Sequence, residues 1–278
     1  MGNALAGRVA VVTGASKGIG AGIARRFAAE GARVVCVSRG APDETLSTIR
    51  IDGGEAAGIQ ADIANRTERA CLAERVLSEY GHVDVLVNNA AGGGLEPGWL
   101  TLSDARIDHG YEINFMGPFD LMRRFAPAMV ERRRGWMLNI GTRVATLPGR
   151  SDDRGALFGD VEKQGGTMVY GATKAALARL TISMAAQLEE SGVVVNSLSP
   201  VAAVWTPGVQ DYGLERFRNQ PGWYEEPVET MAEAALALCT AALPATGLCV
   251  YSEEYLSEIG RAVWTLDGRR LLNPPDPA

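Results

Sequence analysis

Tyr170 and Lys174 stand four residues apart in "YGATK", a spacing that puts both side chains on one face of a helix. A free tyrosine ionises near pH ~10 and exchanges protons poorly at neutrality. A lysine cation ~4 Å away, at an effective dielectric of ~20, is worth about 4 kcal/mol to the phenolate. That coupling is large enough to bring the phenol toward neutral pH, where it could give a proton to a bound oxygen or take one. Taken alone, the pair also fits an ordinary helix surface. Far upstream, "VVTGASKGIGAGIARRF" (residues 11–27) sets Gly14, Gly18 and Gly20 between a strand-like run and apolar residues at helical spacing, Ile19, Ile23 and Phe27. Glycine lets a backbone approach a pyrophosphate, and a helix N-terminus offers free N–H groups and a positive dipole end. The duller reading is a tight strand-to-helix turn with nothing bound.

Strand-like runs must hold these residues in place. The pattern predicts strands at Val9–Thr13, Arg33–Ser38, Ala57–Gln60, Val83–Asn88, Trp136–Gly141, Val193–Leu198 and Leu248–Tyr251, with helical spacing between them. Near-continuous apolar strands alternating with helices predict a mostly parallel seven-stranded sheet covered on both faces, an α/β doubly wound fold of Rossmann type. Its ligand crevice lies at the carboxyl ends of the strands. Nothing resembles a linker, so residues 1–278 read as a single domain, and the terminal "NPPDPA" is too rich in proline to pack.

A formal net charge of −6 argues against a nucleic-acid partner. The one dense basic run, Arg132, Arg133 and Arg134, reads as a solvated helix end. Cys36, Cys71, Cys239 and Cys249 show no CxxC spacing, and His82 and His109 are far apart, so no metal site is expected. Cysteines of this kind fit a reducing cytoplasm. The expected first strand leaves no room for a signal peptide. "MGNALA" has Gly2, but Ala6 stands where myristoylation wants Ser or Thr. No apolar run is long enough to span a membrane; "MAEAALALCTAALPATGLCV" reads as a buried helix, a turn and a strand.

"TGASKGIG" at Thr13–Gly20, spaced GxxxGxG, resembles the cofactor turn of the short-chain dehydrogenase/reductase family. "NNAA" at Asn88–Ala91 is similar to the family's stretch after the fourth strand, with Ala91 where glycine is usual. Asn114 in "EINFMG", "YGATK" at Tyr170–Lys174 and "NSLSP" at Asn196–Pro200 match further motifs in the family's order, over roughly residues 7–252. The resemblance implies an NAD(P)-dependent oxidoreductase acting on CH–OH or C=O groups. Tyr170 would exchange the proton, Lys174 would tune it and hold the nicotinamide ribose, and Asn114 would anchor a water of the proton relay or bond at a helix kink. Thr142, in place of the usual serine, would bond the substrate oxygen. Cofactor contacts are implied at Gly14, Ser16, Lys17, Gly18, Ile19, Gly20, Ser38, Arg39, Asp62, Ile63, Asn89, Ala90, Ala91, Pro200 and Val201, besides Tyr170 and Lys174. An acidic residue ending the second strand would favour NAD. Here Ser38 holds that place, with Arg39 beside it and Lys17 in the glycine turn, a set that suits a 2′-phosphate and hence NADP(H). Two ordinary surface cations are the alternative. Asp62, beside Ile63 in "ADIAN", is expected to bond the adenine amine.

The chain also departs from the family pattern. The extra methyl of Thr142 narrows χ1 and takes up space. Tyr170 follows Thr142 at roughly twice the usual interval, through an insertion at about 149–166 that fits a substrate rim or a subunit interface. Val201 follows Pro200 where glycine is usual, and Thr206 comes one residue late. Trp205, Tyr212, Phe217, Trp223 and Tyr224 crowd the expected lid at about 201–228 and suit a small apolar carbonyl or alcohol, though lid packing or an interface would use them too. A C-terminal extension, 252–278, reads as a short helix and a hairpin-type turn at Asp267–Gly268, with ends that would seek cover in a homo-dimer or homo-tetramer. The leading expectation is thus an NADP(H)-dependent reductase of ketones or aldehydes, or the reverse alcohol dehydrogenase. Its rival is a catalytically impaired dinucleotide-binding sensor or scaffold. Reduction of an activated carbon–carbon double bond fits less well, because that branch spaces its tyrosine and lysine differently.

Overall fold

The computed structural model describes residues 3–93, 98–146, 167–207, 218, 224–241 and 245–272. The insertion at about 149–166, the lid residues Tyr212, Phe217 and Trp223, and the proline-rich end lie outside the described residues. Seven strands form one sheet: β1 (Val9–Thr13), β2 (Arg33–Ser38), β3 (Glu55–Gln60), β4 (Val85–Asn88), β5 (Gly135–Ile140), β6 (Val193–Ser199) and β7 (Cys249–Tyr251). Their order is β3-β2-β1-β4-β5-β6-β7, and every adjacent pair is parallel. The described helices are α1 (Gly18–Ala29), α2 (Asp43–Ile51), α3 (Arg66–Tyr80), α4 (Asp104–Tyr111), α5 (Gly117–Glu131), α6 (Met168–Leu188), α7 (Val228–Thr240) and α8 (Ser252–Glu258). None is long and apolar enough to cross a membrane.

Strand alternation explains the two layers. Ala10, Val12, Val34, Cys36, Val85, Val87, Leu138 and Ile140 point to one face, where Ile23 and Phe27 of α1 and Met231, Ala235 and Leu238 of α7 cover them. Val11, Val35, Val37, Leu86, Met137 and Val195 point to the other, under Leu72 and Val76 of α3, Leu121 and Phe125 of α5 and Leu177 of α6. Because both faces are dry, the strands carry apolar residues at nearly every position, the signal that made them legible.

The basic run at the end of α5 is exposed, as its sequence suggests, and it also reaches a buried anion. Asp84, buried just before β4, accepts the Val9 N–H (2.9 Å) on one oxygen and the Arg132 guanidinium (3.1 Å) on the other. Arg134 lies 3.7 Å from the same carboxylate, and Arg133 donates to the Glu190 carbonyl. These cations neutralise a buried anion and tie strand beginnings together.

A second ionic cluster fastens the chain's far end. Glu233 of α7 bridges Arg26 of α1 (2.8 Å) and Arg261 of the tail (2.7 Å), while Arg26 also holds Glu30 (2.7 Å). Glu30 in turn accepts the Ala4 N–H. Beyond Arg261, Trp264 and Leu271 form an antiparallel bridge around the turn at Asp267–Gly268, with Gly268 at φ 68°. Replacing Glu233 with alanine leaves Arg26 buried beside a lost counter-charge. The Glu233→Ala protein should lose ~3 kcal/mol of folding free energy in a urea titration, and a loss within error of zero would show that the cluster contributes nothing.

Candidate active site

Strand order reverses between β1 and β4, whose successors run to opposite edges, and the crevice opens beyond their carboxyl ends. The Thr13 hydroxyl holds this junction. It donates to the Val87 carbonyl (3.3 Å) and accepts the N–H groups of Asn89 and Ala90 (3.0 Å each). The Asn89 amide returns to the carbonyls of Thr13 (2.9 Å) and Gly14 (3.2 Å).

The glycine turn is built around that contact. Gly14 has φ 66°, and a Cβ there would stand 2.8 Å from Asn89 Nδ2 and 2.9 Å from Ala90 Cα. A Cβ on Gly20 would reach within 2.4 Å of both Asn89 Nδ2 and the Gly14 carbonyl oxygen. Two of the three glycines are thus required by the protein's own packing. Gly18, at φ 64° and opening α1, is different: its missing Cβ faces Thr206 at 3.2 Å, across the space at the helix N-terminus. This N-terminus, with the Thr206 side chain of the loop after β6 close over it, carries N–H groups of the kind that suit a pyrophosphate. Ser16 lies in the turn, its carbonyl accepting the Thr45 hydroxyl; Lys17 is exposed at the cap of α1, and Ile19 is half-buried behind it.

At the end of β2 the Ser38 side chain is buried and donates to the Gly40 carbonyl (2.7 Å), so it shapes the turn that presents the exposed Arg39. At the end of β3, Asp62 accepts the Ala64 N–H (2.9 Å) and Ile63 is buried. Ala91 is exposed past β4.

Asn114 sits in a π-helical turn, Glu112–Met116, between α4 and α5. Turns of this kind widen a helix locally and re-aim one side chain. The fully buried Asn114 amide accepts the Gly92 N–H (3.1 Å), donates to the Gly92 carbonyl (2.8 Å) and reaches Thr173 Oγ1 of α6 (3.2 Å). It therefore joins the loop after β4 to the helix turn that carries Tyr170.

Thr142 follows β5 through Gly141, where a Cβ would come within 2.4 Å of Ser199 Oγ; the glycine lets the ends of β5 and β6 close together. The Thr142 hydroxyl accepts the Val144 N–H at 3.4 Å. The 3-10 turn Arg143–Thr146 packs on Gly171 of α6. Lys174 lies one turn beyond Tyr170, its Nζ 5.9 Å from the tyrosine ring centroid and donating to the Ile140 carbonyl at 2.7 Å. Burial pushes its ammonium down to about 8. Deeper along α6, Thr181 bonds Asn139, which bonds Asn88 (2.9 Å each), so the helix is pinned to β4 and β5. Asn114, Thr142, Tyr170 and Lys174 thus come to one end of the sheet. Pro200 and Val201 follow β6, and the Val201 N–H donates to the Glu226 carboxylate at 2.8 Å.

Three polar groups here escaped the sequence reading: Thr13, Glu226 and Arg69. Arg69 is 1% exposed; it donates to the Ile63 carbonyl (2.8 Å), Glu112 of the π turn (2.9 Å) and Asp120 (3.2 Å). A signal existed, since Arg69 falls on the same helical stripe as Leu72, Ala73 and Val76.

A parallel sheet reversing at β1/β4 thus brings a glycine turn on α1 and a tyrosine–lysine pair beside β5 to the carboxyl ends of its strands. The family model for short chain dehydrogenase matches residues 8–151. The chain is similar to the 7alpha-hydroxysteroid dehydrogenase of Escherichia coli strain K12, at 33% identity over 251 residues, covering 86% of this chain and 89% of the relative. It is also similar in structure to a metagenomic short-chain oxidoreductase in complex with NADP, with TM-score 0.71, 31% identity and coverage of 89% of this chain and 97% of that one. An actinorhodin polyketide ketoreductase with NADPH gives TM-score 0.75 at 27% identity, covering 90% and 97%. The chain belongs to the short-chain dehydrogenase/reductase family, enzymes acting on CH–OH and C=O groups.

The buried Lys174 makes a pH-dependent contribution to stability. An unfolded lysine ionises near ~10.4. With a folded value of about 8, its contribution is present above ~10.4 and is lost as pH falls through about 8. Urea titrations from pH ~8 to ~10 should therefore show wild-type stability rising relative to Lys174→Met; parallel curves would show that the ammonium is not destabilised by burial.

Proposed function

We propose that the chain is an NADP(H)-dependent reductase of small apolar ketones or aldehydes, or the reverse dehydrogenase of secondary alcohols. The observation that carries the reading is the Tyr170–Lys174 pair, with the lysine buried against β5 and Thr142 on the same strand's end. The Tyr170 phenol exchanges the proton with the substrate oxygen, and the Thr142 hydroxyl bonds that oxygen. Lys174 favours the phenolate and holds the nicotinamide ribose, whose hydroxyls give its buried ammonium further acceptors. Asn114 fixes the loop after β4 against α6. When bound, the nicotinamide supplies or accepts the hydride. The contacts of Gly18, Ser16, Lys17, Ile19, Ala90, Ala91, Asp62, Ile63, Pro200 and Val201 are assigned to the cofactor, while Gly14, Gly20 and Asn89 shape the turn that receives it.

Preference for NADP(H) is supported by the exposed Arg39 and Lys17 and by the NADP or NADPH held by the two structural relatives. An apolar substrate is supported by the aromatic residues of the lid and by the hydroxysteroid that names the E. coli relative. Buried free thiols at Cys36 and Cys239 agree with a reducing compartment, and assembly into a homo-dimer or homo-tetramer accords with the reading.

Two measurements test it. Fluorescence titration with NADPH and NADH in parallel should show tighter binding of NADPH, and Arg39→Ala should weaken NADPH by roughly tenfold with NADH unchanged; a wild-type preference for NADH would overturn the cofactor assignment. With a panel of ketones and aldehydes followed by NADPH absorbance, Tyr170→Phe should lose at least about 10²-fold in kcat at unchanged NADPH affinity. Retention of most turnover would remove Tyr170 from the chemistry.

A further inference from the structure

Where the family pattern has a glycine after Pro200, this chain has Val201, and the loop must be shaped by something else. Its backbone groups converge on one side chain. Glu226, 2% exposed, accepts the Val201 N–H at 2.8 Å, the Ala202 N–H and the Ser252 hydroxyl at the start of α8. The Glu226 N–H donates back to the Ala203 carbonyl (3.0 Å), and Ala203 bridges Glu225 in parallel. From the opposite side, Arg143, the residue after Thr142, donates to the Val201 carbonyl at 2.9 Å. The start of the loop that leads to Thr206 is thereby held from two sides.

We propose that Glu226 is a positioning residue for the dinucleotide, its buried carboxylate latching residues 201–203 in the form that receives the nicotinamide end. The assignment rests on the dinucleotide reading above. Three donors meet at this side chain, and a carboxylate is the one side chain that offers acceptors alone. Among the described residues, the charged and titratable groups around it supply no compensating cation. Glu253 of α8 repels it and is bonded by the Tyr224 hydroxyl; Arg143 is occupied by Val201 and stacked over Tyr251; Arg218 is paired with Glu225. A carboxylate buried without a cation costs the fold free energy, which marks a group kept for the arrangement it imposes.

Burial, aided by Glu253, pushes the Glu226 carboxyl up to about 7 against the pull of its three donors. Its ordinary value is ~4.3, so the stability tied to it is full below ~4.3 and is lost as pH rises through about 7. Ionisation tightens the latch and strains the fold. Protonation removes the charge that strengthens the two backbone N–H bonds, while the Ser252 hydroxyl can turn to accept the new proton.

The test combines amide hydrogen exchange of the cofactor-free protein with NADPH and NADH titrations between pH ~6 and ~8, on wild type and Glu226→Gln. The variant should bind NADPH roughly tenfold more weakly, the loss expected for one charge-assisted hydrogen bond. Its Val201 and Ala202 amides should exchange faster, and it should lose the part of the affinity gain with pH that comes from the carboxylate. The 2′-phosphate of NADPH titrates near ~6, but equally in both proteins, so the difference between the two profiles isolates Glu226. Unchanged affinity in Glu226→Gln overturns the positioning role. If wild type binds neither dinucleotide, the dinucleotide reading fails, and with it the positioning role; the amide exchange then reports only whether the carboxylate latches the loop. Should Glu226→Gln not fold, wild-type exchange at Val201 and Ala202, corrected for intrinsic rates, decides: greater protection at pH ~8 than at ~6 supports the latch, and equal protection overturns it.

Discussion

A single hydroxyl, that of Thr13, sits where the sheet's connections divide. Strands on one side of β1 continue toward β3 and those beyond β4 toward β7, so two backbones must part at the carboxyl end without leaving polar groups dry and unpaired. Thr13 Oγ1 meets this demand with three bonds, to Val87, Asn89 and Ala90. The arrangement draws β1 and β4 so close that Gly14 and Gly20 have no room for side chains. From that one point the glycine turn departs in one direction and the Gly92 loop in the other. Both halves of the cleft therefore inherit their placement from a packing requirement that exists before any ligand arrives.

Ionisable groups buried in the molecule fall into two kinds. Arg69 and the Arg26–Glu233–Arg261 cluster are matched with opposite charges and join helices to one another. Lys174 and Glu226 are buried beside carbonyl or N–H groups with no counter-ion among the described residues, and both flank the crevice. Matched charges specify which elements meet; unmatched ones hold a particular protonation chemistry ready at a fold cost. The division in space follows the division in role.

The strands were legible because a sheet covered on both faces writes an apolar residue at almost every position, and the described ends shift from expectation by two residues at most. The glycine turn, Asn114 and the tyrosine–lysine pair were legible as spacing. What spacing could not convey was which partner each group takes. Three glycines looked alike, yet two serve Asn89 and the turn's own carbonyl while only Gly18 faces the cleft. Three arginines in a row looked solvated and are, yet spacing gave no hint that two of them also reach the buried Asp84, far away in sequence. Arg69 and Glu226 were invisible for the same reason: a charge reads as surface until the distant donors and acceptors that surround it are known.

The π turn at Glu112–Met116 is equivalent to one residue added inside an otherwise continuous helical path. Remove a residue from that stretch and the backbone would close into a regular helix with better hydrogen bonds, but everything on one side would swing by ~100°, carrying Asn114 away from Gly92. Substitution acts on such a site through chemistry, whereas insertion or deletion acts through phase. The reading frame of the helix, counted in residues, is itself a constrained quantity here.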